Sequence, residues 1–123
     1  MFMKNLEKIT LGTATFGNNY GLTNINCVDQ EESYKIISYF IEKGGKNIDT
    51  SINYGSSERL ISSSLRQIKY KNIDIFSKFN LDNNLDSDYL LRQIELSNKN
   101  FDGCLSCILC HTSDVAKKKL DDK

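Results

Sequence analysis

Gly45-Lys46-Asn47-Ile48-Asp49-Thr50-Ser51, running on through Ile52 and Asn53 to Tyr54-Gly55-Ser56-Ser57-Glu58, decides how this chain is read. The short run Lys46 to Thr50 reads as a strand, closed by a carboxylate at Asp49. A polar loop holding Tyr54 follows. Ser56 or Ser57 then opens a helix whose inner face carries Leu60, Ile61, Leu65 and Ile68, apolar at helical spacing. A strand leads through a loop into an amphipathic helix.

The same unit recurs on both sides. Upstream, Lys8 to Thr15 reads as a first strand, with Ile-Thr-Leu ending at Gly12, and Gly17 and Gly21 punctuate a loop reaching Asn26. Asp29 suits the cap of a helix bearing Tyr34, Ile36, Ile37, Phe40 and Ile41. Gly44-Gly45 stops that helix, where a left-handed residue is wanted. Downstream, Asn72 to Ser77 is a third strand. Asp86 or Ser87 caps a third helix with Leu90, Leu91, Ile94 and Leu96, Asp102-Gly103 breaks it, and Cys104 to Cys110 is a fourth strand. From Ser113 a further helix begins. The order β-α-β-α-β-α-β, with strands expected to be buried on both faces, is the pattern of a parallel α/β sheet. Periodicity alone leaves open whether that sheet is doubly wound or part of a (β/α)8 barrel.

Composition narrows the function classes. The 123 residues fit one domain, 1–123, with no internal repeat and no linker. Sixteen basic side chains balance sixteen acidic ones. A zero balance argues against nucleic acid or a membrane surface as partner, since both need a concentrated positive field. Lys117-Lys118-Lys119, followed by Asp121 and Asp122, reads as a solvated face. Met1 to Lys8 lacks the apolar stretch of a secretory signal, so a cytoplasmic location is expected. There the four cysteines would stay thiols, and they are expected to be small buried core residues.

One motif competes for attention. Cys107-Ile108-Leu109-Cys110-His111 has the C-x-x-C-H spacing of haem attachment, and Cys104 extends it toward a metal-ligand pattern. Alternation along a strand points Cys107 away from Cys104 and Cys110. His111 is the sole histidine and adjoins Cys110, so a fourth ligand is missing, and no metal is expected.

In parallel α/β proteins reactive groups gather at the carboxyl ends of the strands. That rule selects Gly12 to Gly17 after strand one, Asp49 and Tyr54 after strand two, Lys78 after strand three and His111 after strand four. Each has a bland reading. An aspartate there caps a helix, a loop tyrosine packs, a lysine is solvated, and a lone histidine is a structural hydrogen-bonder. Together at one rim, Asp, Tyr, Lys and His suit proton transfer to a carbonyl oxygen.

Gly45 to Ser51 with Tyr54-Gly55-Ser56-Ser57-Glu58 resembles the signature stretch of the aldo-keto reductases. Leu11 to Gly17 and Asn19-Tyr20-Gly21 are similar to that family's first strand and loop, and Ser77-Lys78 and Cys110-His111 take the expected later places. The resemblance implies the N-terminal part of a (β/α)8 TIM barrel, about four parallel strands with three helices. It also implies reduction of a small aldehyde or ketone with NADPH (NADP as the cofactor), or the reverse oxidation. By position, Tyr54 would be the general acid, Lys78 would lower its pKa, Asp49 would orient Lys78, and His111 would place the carbonyl. A free phenol titrates near ~10, and a cation at about 4 Å is worth roughly 4 kcal/mol at a dielectric of about 20, or up to ~3 pKa units. Thr13, Ala14 and Asp49 are implied near the nicotinamide ribose, and Tyr20 and Phe79 fall where they line a substrate pocket or simply pack.

The family barrel has eight strands, so an incomplete barrel truncated after the fourth is expected, with most of the NADPH phosphate cradle elsewhere. Such a half would be inactive alone and would self-associate through its open edges. The competing readings are a non-catalytic remnant and a binding or regulatory module.

Overall fold

The structure, a computed structural model, describes residues 6–18, 27–69, 71–80 and 87–111. Four strands and three helices alternate: β1 Thr10–Gly12, α1 Gln30–Glu42, β2 Asn47–Asp49, α2 Ser57–Ile68, β3 Asp74–Phe79, α3 Ser87–Asn100 and β4 Leu105–Cys110. The strands form one parallel sheet in the order β1-β2-β3-β4. This is the expected partial barrel architecture.

Register assigns a job to each face. Leu11, Ile48, Ile75 and Leu105 are cross-strand partners in one row. Ile48 and Ile75 are buried there, together with Phe16, Ile37, Phe40, Leu60, Ile61 and Phe101. The next row, Gly12, Asp49, Phe76 and Cys107, lies on the opposite face because successive side chains alternate. None of that row is buried. Burial on both faces, expected for these strands, therefore holds only on the side the helices cover.

Local chemistry explains the helix bounds. Asp29 caps α1 with a full capping box, its carboxylate accepting from the Glu32 amide while the Glu32 side chain accepts from the Asp29 amide. Gly44, at φ 84°, ends it as expected. Ser33, Ile37 and Phe40 form the buried stripe of α1, and Ser33 meets Ser64 of α2 at 3.1 Å between buried hydroxyls. Small side chains at this contact let the two helices approach closely.

Three differences from the sequence reading have physical causes. β1 is shorter than Lys8 to Thr15, because the chain turns once the Phe16 amide bonds to the Thr13 carbonyl at 3.0 Å. β3 runs two residues beyond Ser77, because the Ile52 amide bonds to the Lys78 carbonyl and the His111 amide to the Phe79 carbonyl. In α3, Leu91 and Leu96 are exposed and only Ser97 is buried. Its inner stripe is Leu90, Ile94 and Ser97, leading to Phe101, with the third place given to a hydroxyl.

The cysteines are a correction. Cys27, Cys104 and Cys110 are exposed and Cys107 half-buried, so none belongs to the core. Three of them sit on or beside β4, which pairs only with β3 among the described strands. Gly21 to Asn26, Tyr20, the Asp86 cap and the Lys117-Lys118-Lys119 run lie outside the described residues.

Candidate active site

Strand parity brings three of the selected residues onto one face before any side-chain geometry is considered. Asp49 pairs with Phe76, so Lys78, two residues further along β3, shares its face. Lys78 pairs with Leu109, and His111 lies two residues beyond Leu109. Asp49, Lys78 and His111 thus stand on the open face, at the carboxyl ends of β2, β3 and β4.

The Lys78 ammonium donates to Asp49 Oδ1 at 2.5 Å and to the Thr50 carbonyl at 3.0 Å. Its side chain is 16% exposed and that of Asp49 35%, so solvent screens this ion pair only in part. The same ammonium lies 5.5 Å from the centre of the Tyr54 ring, within cation–π range. The His111 ring stands edge-on to Tyr54, 6.1 Å between centres and 87° between planes. A carboxylate, an ammonium, a phenol and an imidazole, spread over 63 positions from Asp49 to His111 in sequence (111 less 49, plus one), form one cluster.

The turn that delivers Tyr54 is built from its own backbone. The Tyr54 amide bonds to the Ser51 carbonyl at 3.1 Å, and the Ser57 amide bonds to the Tyr54 carbonyl at 2.9 Å. Gly55 follows at φ 54°, and a methyl group there would meet the Gly17 carbonyl at 2.8 Å. Gly17, at φ 66°, would collide through its own Cβ with the Ser56 hydroxyl. Two glycines facing each other let the loop after β1 press against the loop after β2.

Beneath this turn runs a chain of buried hydroxyls. Thr13 Oγ1 donates to the Asp49 carbonyl at 2.9 Å, and Ser57 Oγ donates to Thr13 Oγ1 at 2.9 Å. Thr50 Oγ1 lies 3.0 Å from Ser57 Oγ. Since the Ser57 proton is already committed, Thr50 is the donor of that last bond. The relay ties the start of α2 to the ends of β1 and β2.

One polar group at the core was read only as part of a motif. Glu58, in the first turn of α2, is 7% exposed. Its Oε1 accepts from Ser77 at 2.6 Å and from Ser97 at 2.5 Å, and its Oε2 from Asn100 at 2.9 Å. The sequence held a signal for it. Glu58 falls three and seven residues before Ile61 and Leu65, in phase with the inner stripe of α2, where an acid needs a partner set.

A cavity of about 580 Å³ lies at the opposite end of the strands. It is lined by Leu65, Arg66, Ile73, Ile75, Phe101 and Asp102, among others, and contains none of Asp49, Tyr54, Lys78 or His111. Arg66 grips Asp102 there through Nε and Nη2 at 2.9 and 3.0 Å, holding the Asp102 carboxyl below its usual range. This fork joins α2 to the turn after α3, so the cavity belongs to the structural end of the molecule. Among the described residues no three His, Cys, Asp or Glu side chains gather as metal ligands, and no helix is long and apolar enough to cross a membrane.

Two solved structures from Pseudomonas aeruginosa, both proposed aldo-keto reductases, superpose with TM-scores of 0.75 and 0.72. Each is 23% identical over 93% of this chain. The chain spans 46% and 44% of their lengths, a little under half. No curated protein matches it. The family profile described as aldo/keto reductase matches residues 8–121, nearly the whole chain, which therefore belongs to the aldo/keto reductase family.

Proposed function

We propose that Tyr54, Lys78, Asp49 and His111 form the acid–base part of a site that reduces a small aldehyde or ketone with NADPH, or runs the reverse oxidation. The observation that carries the reading is the position of the Lys78 ammonium, bonded to Asp49 and 5.5 Å from the Tyr54 ring. A cation beside a phenol favours the phenolate and so draws its titration down toward neutrality, where a general acid works well. Asp49 holds the ammonium in that place and moderates its field. His111, edge-on to Tyr54, is placed to donate to a carbonyl oxygen lying between the two rings. As the carbonyl carbon gains a hydride, Tyr54 gives its proton to the oxygen and the product leaves as an alcohol.

The residues present suit a nicotinamide on this face. Gly12 borders Asp49 across the β1–β2 register, and a Cβ placed on it would meet nothing within 4 Å. That leaves room for a flat ring beside the carboxylate. The Thr13 hydroxyl is committed to Asp49 and Ser57, so Thr13 and Ala14 would serve through backbone and shape, and Asp49 through its carboxylate. When bound, NADPH supplies the hydride. A cytoplasmic setting fits this reading, in keeping with four free thiols.

The test is NADPH consumption by the purified chain with small aldehydes. Because the chain spans less than half of its solved relatives, the expected turnover of these residues alone is at most a trace, and it should vanish in Tyr54→Phe. An ordinary enzymatic rate, about 1–10³ s⁻¹, would overturn the assignment of the phosphate cradle to later strands. Turnover indifferent to Tyr54→Phe would overturn the acid.

A further inference from the structure

We infer that Glu58 is a positioning residue, a buried strut that fixes β3 along its axis and so holds Lys78 at the level of Asp49 and Tyr54. The inference rests on the acid–base reading above only for its consequence; the strut itself is a matter of geometry.

Glu58 lies four residues after Tyr54, at the start of the helix into which the Tyr54 turn runs. Its partner Ser77 immediately precedes Lys78 in β3. The 2.6 Å bond between them therefore joins the two segments that carry the phenol and the ammonium, in addition to the bonds that the Ile52 amide and the Ser51 hydroxyl make to the Lys78 carbonyl. It does so from the helix-covered face, where Ser77 is fully buried, while Lys78 projects to the other face.

β3 is held in regular register by β2 but not by β4. Its pairing with β4 shifts register between Ile75 and Phe76, since Ser106 falls out of the ladder and its hydroxyl accepts from the Ile75 amide. A strand slip of one residue would move Lys78 to the helix-covered face. With the ladder irregular just below Ser77, a side-chain bond to an element outside the sheet resists that slip.

The rest of the coordination matches an anchor. The bonds from Ser97 and Asn100 hold Glu58 to α3, so the carboxylate is fixed from both sides and cannot follow β3 if the strand moves. No basic side chain bonds to Glu58 among the described residues, and its three partners are neutral donors. A purely cohesive contact in this place would be met as well by apolar side chains.

The test reads the Lys78 ammonium directly, by ¹⁵N NMR of its NH₃⁺ signal, and needs no turnover. Ser77→Ala removes only the β3 arm and Asn100→Ala only an α3 arm. Solvent exchange of the ammonium should quicken about two- to tenfold in Ser77→Ala, the range one hydrogen bond commands, and change little in Asn100→Ala. Glu58→Gln, which keeps an oxygen for Ser77 and can meet an Asn100 amide turned end for end, should stay close to wild type. Glu58→Ala should resemble Ser77→Ala or exceed it; if it fails to fold, the serine and asparagine variants still decide. Equal effects of Ser77→Ala and Asn100→Ala, or none from Ser77→Ala, would overturn the strut. Failure of the acid–base reading would show instead as Lys78→Met leaving the Tyr54 titration unmoved, whatever these variants do.

Discussion

The two faces of one small sheet differ more than any two of its strands. On the helix side, Ile48 and Ile75 stand in a row of aliphatic partners, with exposures of 0% and 2%. On the open side, one residue along, stand Asp49 and Phe76, then Lys78 and His111. The difference shows that parity divides labour: even a three-residue strand such as β2 sends one residue to the core and the next to the chemistry. Stability and proposed function should therefore respond to different substitutions only one position apart.

The largest effect expected tests the dry face. Ile48→Ala or Ile75→Ala should cost about 2–5 kcal/mol in denaturant unfolding, through lost burial plus an unfilled cavity. Leu109→Ala, on the face where its side chain is 45% exposed, should cost under about 1 kcal/mol. Equal costs would erase the distinction between faces.

The rim comes next. Gly55→Ala forces a side chain into a left-handed backbone position against the Gly17 carbonyl, and about 1–3 kcal/mol should be lost. Ser57→Ala cuts the hydroxyl relay that joins β1, β2 and α2, for about 1–2 kcal/mol by the same measurement. On the open face, Lys78→Met should alter stability by no more than about 1 kcal/mol, since Asp49, whose side chain is 35% exposed, keeps its access to water.

The smallest effect lies at the structural end. The Asp102 carboxyl is held low by its bonds to Arg66, so its contribution to stability is present above the ordinary aspartate range. As pH falls through its lowered folded value, that contribution is lost. Thermal unfolding followed from neutral pH downward should show a small acid-side loss that Asp102→Asn lacks, and added salt should shrink the difference.

How much of this was legible beforehand follows from the same division. Element order and the parallel sheet could be read because the helix stripes and short apolar runs repeat cleanly, as in Leu60, Ile61, Leu65 and Ile68. The rim residues could be selected because strand ends are where parallel sheets expose reactive groups. Their convergence was implied by the family resemblance and not by the residues alone, since it depends on register, and register is set by hydrogen bonds such as Ile52 to Lys78 that leave no mark in composition. The cysteines of β4 misled because apolar composition predicts burial only where another layer covers the strand. Glu58 was visible as a residue and silent as a role: its donors come from Ser77, Ser97 and Asn100, polar residues that each look like surface.

The central claim is that Lys78 and Tyr54 act on one another across the open face. NMR titration of ¹³C-labelled tyrosine, with Tyr54 assigned by its loss in Tyr54→Phe, measures this directly. The account predicts that Lys78→Met raises the Tyr54 midpoint, as removal of a neighbouring cation should. An unchanged midpoint in a folded variant would contradict it.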